Sequence, residues 1–464
     1  MTLGLTSGRD ATPIMDRRSD SVTARIVELD GRSVVELRVE GGKHHGAVGE
    51  SGAEAMERAI RLATELGIPF VAWLDTGGAD LGEGISSLHG WGRCARALVD
   101  ASGVVPTIIV ATGACVSGPA LCLGLVDHVI MTADAFAYVS GPEAVAELTG
   151  VMLDRAALGG AAIHGRVSGV ASLVVDDEDD AMHALAALLA YLPSNHLEDP
   201  PAWPTDDSAT RDCSLAAATV PGAPNASYDV RAVVRDILDA ESFFELRVNH
   251  APNVVIGLGH LGGRVVGIVA NQPFAKAGTL DIEASQKAAR FVQWCDAFNV
   301  PLLTFVDTPG FEPGKDLEWR GMIRYGAQLV HAYADATVPR LCVVLRKAYG
   351  GAYIVMDSKR LGNDYCVAWP DAQIAVMGAP GAVQILYGRR LGTIDDAGER
   401  DLEQGRLIAE YEDRFSNPYA AAERGFVDAV IDPLATRRVL AAALARFATK
   451  REAVASRRHS NTPL

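Results

Sequence analysis

The chain has 464 residues, with Lys plus Arg 42 against Asp plus Glu 58, a formal net charge of −16. That length holds two or three domains at roughly 150 residues each, and the acidic balance opposes binding to phosphate backbones or anionic lipid, so neither nucleic acid nor a membrane surface is an expected partner. Hydrophobic residues at 49% and charged residues at 22% are ordinary globular usage, while 46 glycines exceed the usual ~7% and announce many tight turns.

From the N-terminus, Met1 to Ser21 carries scattered charges and no apolar core, so it predicts a disordered segment over 1–21 and no secretory signal. The seven cysteines (94, 115, 122, 213, 295, 342, 366) form no CxxC pair and no Cys/His cluster at zinc-ligand spacing; the odd count also argues against a disulfide framework. A reducing cytoplasm and no metal are the expectation. Helical periodicity over Ala53 to Leu66 leads to a β-rich run, Phe70 to Leu74, and then to Asp75-Thr76-Gly77-Gly78. Residues 101–126 carry no formal charge, long enough to cross a bilayer. Gly103, Pro106, Gly113, Gly118, Pro119 and Gly124 interrupt the run, however, and fit a buried strand, a turn and a helix. The strand is Thr107 to Ala111 and the turn Val116-Ser117-Gly118-Pro119.

The second half repeats the first. Leu66-Gly67-Ile68-Pro69 to Asp75-Thr76-Gly77-Gly78 is echoed by Phe298-Asn299-Val300-Pro301 to Asp307-Thr308-Pro309-Gly310, and Ser117-Gly118 by Gly350-Gly351. Val139-Ser140-Gly141 against Val376-Met377-Gly378 is a third echo. With helix Ala284 to Phe298 and strands Leu302 to Val306 and Leu341 to Leu345, the alternation predicts an α/β fold of two domains with buried parallel strands. The Pro-rich stretch between them divides the chain into 22–200, a linker 201–226, a second domain 227–450 and a tail 451–464.

Each doubled element is a strand, a small-residue turn and a helix. Unpaired N–H groups at a helix start, with Gly allowing close approach, can stabilise an enolate or oxyanion. Three other motifs are set aside. Gly257-Leu258-Gly259-His260-Leu261-Gly262 matches G-x-G-x-x-G but is followed by a strand-like run, so it predicts a hairpin and not a dinucleotide site. Asp307-Thr308-Pro309-Gly310 has no phosphate loop to accompany it. Ser117 as an acyl-transfer nucleophile needs a base, for which only His128 and His164 are candidates.

The segments ATVPRLCVVLRKAYGGAYIVM (336–356), AWPDAQIAVMG (368–378) and NPYAAAERGFVDAVIDP (417–433), with 270–314, resemble the carboxyltransferase (beta) subunit of biotin-dependent acyl-CoA carboxylases, over residues 46 to 433. The resemblance implies two tandem ClpP/crotonase-like domains in a homohexamer, with each active site between the N domain of one subunit and the C domain of another. It also implies transfer of a carboxyl group from carboxybiotin to the α-carbon of acetyl-CoA or propionyl-CoA. The cofactor is biotin on a carrier protein that works with a biotin carboxylase, and a small accessory subunit is a further expected partner. By position, Gly351 and Ala352 fall on the C-domain oxyanion pair, Ser117 and Gly118 on the N-domain pair, and Gly77 and Gly78 on the first turn of the acyl-CoA half. Ile354 falls where acyl-chain preference is set. Ser140, Gly141, Gly350, Phe311 and Tyr353 complete the expected substrate-binding set.

Arg346 and Lys347 flank the C-domain strand end, either as cations for CoA or carrier or as a solvated basic face. Departures gather in the first half. Asp80 replaces an Arg of the family, Ser117 a Gly, Pro119 follows the pair, and Ser172 stands where a His is common. They keep two alternatives open: a weakly active structural paralogue, and a decarboxylase or hydrolase acting on malonyl-type thioesters.

Overall fold

A parallel strand covered on both faces has no polar side, so it reads as an unbroken apolar run. Leu302–Thr308 is buried at every position and Phe70–Thr76 at all but Asp75. These are inner strands of two eight-stranded sheets in the computed structural model, which describes residues 12–13, 21–42, 44–223, 225–450, 452, 454–461 and 463. The expected disordered stretch 1–21 lies outside the described residues except for Ser21 and for Thr12–Pro13, which pairs with Ile26 and Arg25. Two compact units divide the chain. The first ends at Pro201 and takes in Leu246–His250 and Ala297–Asn299; the second holds Ala202–Glu245, Ala251–Asp296 and the remainder from Val300.

In the first unit the strands follow the order Thr12–Pro13, Val22–Leu29, Arg32–Val39, Phe70–Thr76, Thr107–Val116, His128–Thr132, Leu173–Val175. The first two pairings are antiparallel and the others parallel. Phe136–Tyr138 branches off the far end of Thr107–Val116. Helix Glu50–Leu66 buries Ala53, Met56, Ala59, Ile60 and Ala63, spaced three and four apart, and stops at Gly67, whose φ of +64° closes the last turn. The uncharged run 101–126 contains the Thr107–Val116 strand and the short helix Gly118–Leu123. Among the described residues no helix is long and apolar enough to cross a membrane.

The second unit repeats this plan: Ala429–Val430, Tyr365–Ala368, Arg340–Tyr349, Leu302–Thr308, Arg264–Asn271, Val254–Leu261, Phe244–Leu246, with Gln373–Ala375 branching off Arg340–Tyr349. The glycine motif at 257–262 lies in the hairpin expected of it, turned at Gly262 and Gly263. The duplication reaches single bridges. Val48 pairs with Ala79 and, 232 residues on, Leu280 with Phe311. Both halves also slip register at the same place, between Leu74 and Thr76 and between Val306 and Thr308. From Ala202 on, the Pro-rich stretch expected as a linker groups with the second unit. Its Ser214–Thr219 segment is helical, and Cys213 and Ala216 are buried in that unit's core. Helices Ala379–Leu391 and Ala397–Phe415 pack on one another around Val383, Leu391 and Leu407.

Candidate active site

In the first unit Thr107–Val116 ends at Ser117, which takes φ +66° and ψ −116° before the helix Gly118–Leu123. Only glycine enters that region freely. The Ser117 amide donates to the Tyr138 carbonyl at 3.0 Å, which ties the elbow to the branching strand and withdraws that N–H from any ligand. Pro119 has none to offer. Of residues 117 to 119, Gly118 is left with a first-turn N–H that has no intrahelical acceptor. Gly77 and Gly78 stand beside the elbow, a Cβ on Gly78 falling 3.8 Å from that of Ser117. Their amides are also committed, Gly77 to His45 O at 2.8 Å and Gly78 to Thr76 Oγ1 at 3.1 Å. They shape the turn and donate nothing outward. Ser140 is exposed just past Tyr138, and Gly141 opens the helix Pro142–Thr149.

Asp80 accepts the Gly82 N–H at 2.8 Å through its carboxylate and caps the turn Leu81–Glu83. One expectation for this half is corrected. His128 and His164 are bonded away from Ser117. His128 Nδ1 pairs with Ser172 Oγ at 3.2 Å, while His164 uses Nδ1 on Ser168 Oγ and Nε2 on Ala137 O, at 2.7 and 2.8 Å. Neither of the two expected bases therefore serves Ser117.

In the second unit the same elbow is built with glycine: Arg340–Tyr349 passes into Gly350, φ +59°, and the helix Gly350–Val355. The first-turn amides of Gly351 and Ala352 have no intrahelical acceptor. The Phe311 ring lies between Gly351 and Gly326, and a Cβ on either glycine would fall 3.3 Å from it. Behind the elbow, Asp307 accepts the Lys347 N–H (3.1 Å), Arg346 Nε (3.0 Å) and the Tyr228 hydroxyl (2.8 Å). Arg346 also donates to the carbonyls of Ala226 and Ala223 at 2.8 and 3.1 Å. Arg346 is thus neither a solvated face nor a ligand cation; it is buried and cross-links the strand end to residues 221–228. Burial pushes the Asp307 carboxyl up against the opposing pull of Arg346 and Tyr228, and it pushes the Lys347 ammonium down, helped by Arg346.

Gly350 and Gly351 form one wall of a cavity of about 660 Å³. Tyr353, Ile354, Ile374, Val376, Leu386, Tyr411, Phe415 and Phe426 make the rest of it predominantly apolar, with Ser358, Arg360 and Arg424 as its polar members. Ile354 is 45% exposed at this wall, whereas the Tyr353 hydroxyl turns away to the Phe426 carbonyl at 3.4 Å. An apolar pocket of this size with a few convergent polar groups is the usual form of a small-molecule site.

The sequence matches the carboxyl transferase domain family over residues 10–462. The chain belongs to that family. It is 45% identical to the carboxyltransferase subunit of propionyl-CoA carboxylase from Haloferax mediterranei over 446 residues, 96% of this chain and 86% of the relative. It is 40% identical to the methylmalonyl-CoA decarboxylase subunit alpha of Veillonella parvula, covering 94% and 84%. Among solved structures, the hexameric transcarboxylase 12S core with methylmalonyl-CoA bound superposes with a TM-score of 0.93 at 40% identity, covering 96% of this chain and 85% of that one. The two units are therefore tandem crotonase-like domains, and the chain is an acyl-CoA carboxyltransferase, as the motifs implied.

Within this carboxyltransferase, sequence reasoning missed the Tyr228–Asp307–Arg346 cluster and the cavity walls contributed by Ser358, Arg360, Tyr411 and Phe415. The cluster had a partial signal in the charged Arg346 within a buried strand. The walls had none, because they come from separate segments that only the fold assembles.

Proposed function

We propose that the chain transfers a carboxyl group from carboxybiotin, presented on a carrier protein, to the α-carbon of a short acyl-CoA, acetyl-CoA or propionyl-CoA, as one subunit of a homohexamer. The observation that carries this reading is the duplicated elbow, with first-turn amides that have no intrahelical acceptor at Gly118 in one half and at Gly351 and Ala352 in the other. Biotin supplies the ureido nitrogen that carries the carboxyl group and receives the α-proton, so no side-chain base is required. The chain's own residues do the rest. Gly351 and Ala352 donate to an oxygen that gains charge in the reaction, and preorganised donors of this kind in a dry site are the largest single contribution to many rate enhancements. Gly118 does the same from the first half. Apolar walls at Ile354, Ile374 and Val376 exclude water and so strengthen those bonds.

The same site run backwards removes carboxyl groups, which fits the kinship with a methylmalonyl-CoA decarboxylase subunit. The test is incorporation of labelled bicarbonate into acid-stable product. Purified chain, biotinylated carrier, biotin carboxylase, ATP and acetyl- or propionyl-CoA should fix label in proportion to the chain added. Absence of label with every acyl-CoA, while the carrier is carboxylated, refutes the reading.

A further inference from the structure

His164, which does not serve Ser117 as a base, reaches the same elbow by another route. The branching strand Phe136–Tyr138 runs beside the far end of Thr107–Val116, with Ala137 against Cys115 and Tyr138 against Val116. Successive carbonyls of a strand point to opposite edges. The Tyr138 carbonyl faces the elbow and takes the Ser117 amide at 3.0 Å. The Ala137 carbonyl faces the other edge, where residues 159–164 clamp it. Phe136 bridges Gly160, the Ala161 amide donates to Ala135 O at 3.0 Å, and Gly159 passes so close that a Cβ would lie 2.0 Å from Ala137 O. His164 Nε2 closes the clamp on Ala137 O at 2.8 Å. Three residues pair through few backbone bonds, so the bonds on the outer edge help to decide where Tyr138 O sits. The imidazole is itself held. A carbonyl only accepts, so Nε2 carries a hydrogen, and in the uncharged ring Nδ1 is then the acceptor for the Ser168 hydroxyl, 2.7 Å away. His164–Ser168 is a single π turn, a rare form that recurs at functional sites. In the second half the equivalent strand, Gln373–Ala375, is braced by a different pair, the Tyr349 hydroxyl donating to Gln373.

We propose that His164 is a positioning residue of the acyl-CoA half, with Ser168 setting its ring. It touches no reacting atom. Through Ala137 and Tyr138 it fixes the Ser117 turn, and with it the direction in which the Gly118 amide meets the thioester oxygen. The inference rests on the carboxyl-transfer reading and adds to it the group that aims the first-half donor. Only geometry passes along this chain: no bond is made or broken in it, and the hydrogen on Nε2 stays there.

The experiment compares two amides at one position, in the bicarbonate-fixation assay with carrier, biotin carboxylase and propionyl-CoA. The side-chain nitrogen of Gln sits where Nε2 does, whereas Asn, one methylene shorter, stops at the place of Nδ1 and leaves Ala137 O without its donor. His164→Asn should lower kcat by about tenfold, short of the 10²–10³ lost with an oxyanion donor outright, while KM for propionyl-CoA moves less than about threefold, because the bond strengthens only as charge develops. His164→Gln should recover most of that loss. Ser168→Ala, at an exposed position, frees the ring from one side and should lower kcat by a smaller factor with the urea midpoint unchanged, so it carries the test where His164→Asn does not fold. Folded variants with kcat at the wild-type level, or His164→Gln and His164→Asn falling alike, overturn the proposal while leaving carboxyl transfer standing. A wild-type chain that fixes no label with any acyl-CoA overturns the underlying reading and the proposal with it.

Discussion

Ser117→Gly should stabilise the chain, against the ordinary expectation for a glycine substitution. Ser117 holds φ +66° and ψ −116°, and its equivalent Gly350 holds φ +59° at the same place in the second unit. A side chain kept in such a region is strained by about 1–3 kcal/mol. Against that relief stands the greater freedom of glycine in the unfolded chain, about 0.5–1 kcal/mol. The balance favours Ser117→Gly by up to about 2 kcal/mol. The reciprocal change, Gly350→Ala, should lose about 1–3 kcal/mol, since it imposes the same strain and sets a Cβ 3.2 Å from the Val376 carbonyl. Urea unfolding reads both as shifts in midpoint at unchanged slope. If Ser117→Gly lowers stability by more than about 1 kcal/mol, the hydroxyl makes an interaction that outweighs the strain, and the elbow is not a position of backbone tension.

The buried clusters give two further outcomes. Arg346→Met leaves the Asp307 carboxylate without its cation, and breaking a buried pair from one side removes about 3–5 kcal/mol; the urea midpoint should fall accordingly, and the double change Asp307→Asn with Arg346→Met should recover part of the loss. Asp357, fully buried against Arg340 at 3.1 Å, is pushed up to about 6 by burial, with Arg340 and Asn363 opposing. The folded chain therefore holds this proton more tightly than the unfolded chain, whose carboxyl titrates near ~3.9, so stability contributed by Asp357 falls as pH rises from about 4 to about 6 and is level above. Two pKa steps amount to about 3 kcal/mol at most, and a wild-type minus Asp357→Asn difference in unfolding free energy that does not shrink across that window contradicts the assignment.

The parts of this molecule legible in its sequence are those that local chemistry and repetition dictate. Leu302–Thr308 must be a buried strand because all but its last two residues, Asp307 and Thr308, are free of ionisable or small polar side chains other than Thr304, and the echo at 232 residues fixed the equivalence of Gly77-Gly78 with Pro309-Gly310 before any coordinates. What an amide does inside a turn was not legible. Nothing in Thr76-Gly77-Gly78 says that both glycine N–H groups bond inward, to His45 and Thr76, because the first acceptor arrives from a loop some thirty residues earlier. Arg346 misled for a related reason. A charged letter says nothing of its partners, which here are Asp307 and two backbone carbonyls. The cavity was illegible because Ile354, Arg360, Leu386, Tyr411 and Phe426 are distant in sequence and belong to no shared period.

The two elbows have diverged in the amides their helix starts present while the scaffold around them has not, and the divergence predicts the behaviour of Pro119. Both strands slip register at equivalent positions, and Asp75 holds the Ala114 amide at 2.9 Å as Asp307 holds that of Lys347. Yet Pro119 occupies the place of Ala352, so the first half presents one fewer N–H than the second. If the thioester oxygen is served by the first half, as the proposed reaction requires, the enzyme works with an incomplete set of donors there. Pro119→Ala restores an amide at the helix start, where one oxyanion donor is worth about 10²–10³ in kcat when its geometry is right. A first-turn proline also rigidifies the unfolded chain, so the same change should lower stability by about 0.4–1 kcal/mol. The expected variant is therefore slightly less stable and faster, by tenfold or more in kcat with labelled bicarbonate and propionyl-CoA. A folded Pro119→Ala chain whose kcat stays within twofold of wild type shows that the oxygen does not sit at this helix start, and that the charge developing in the reaction is met by Gly351 and Ala352 in the other half.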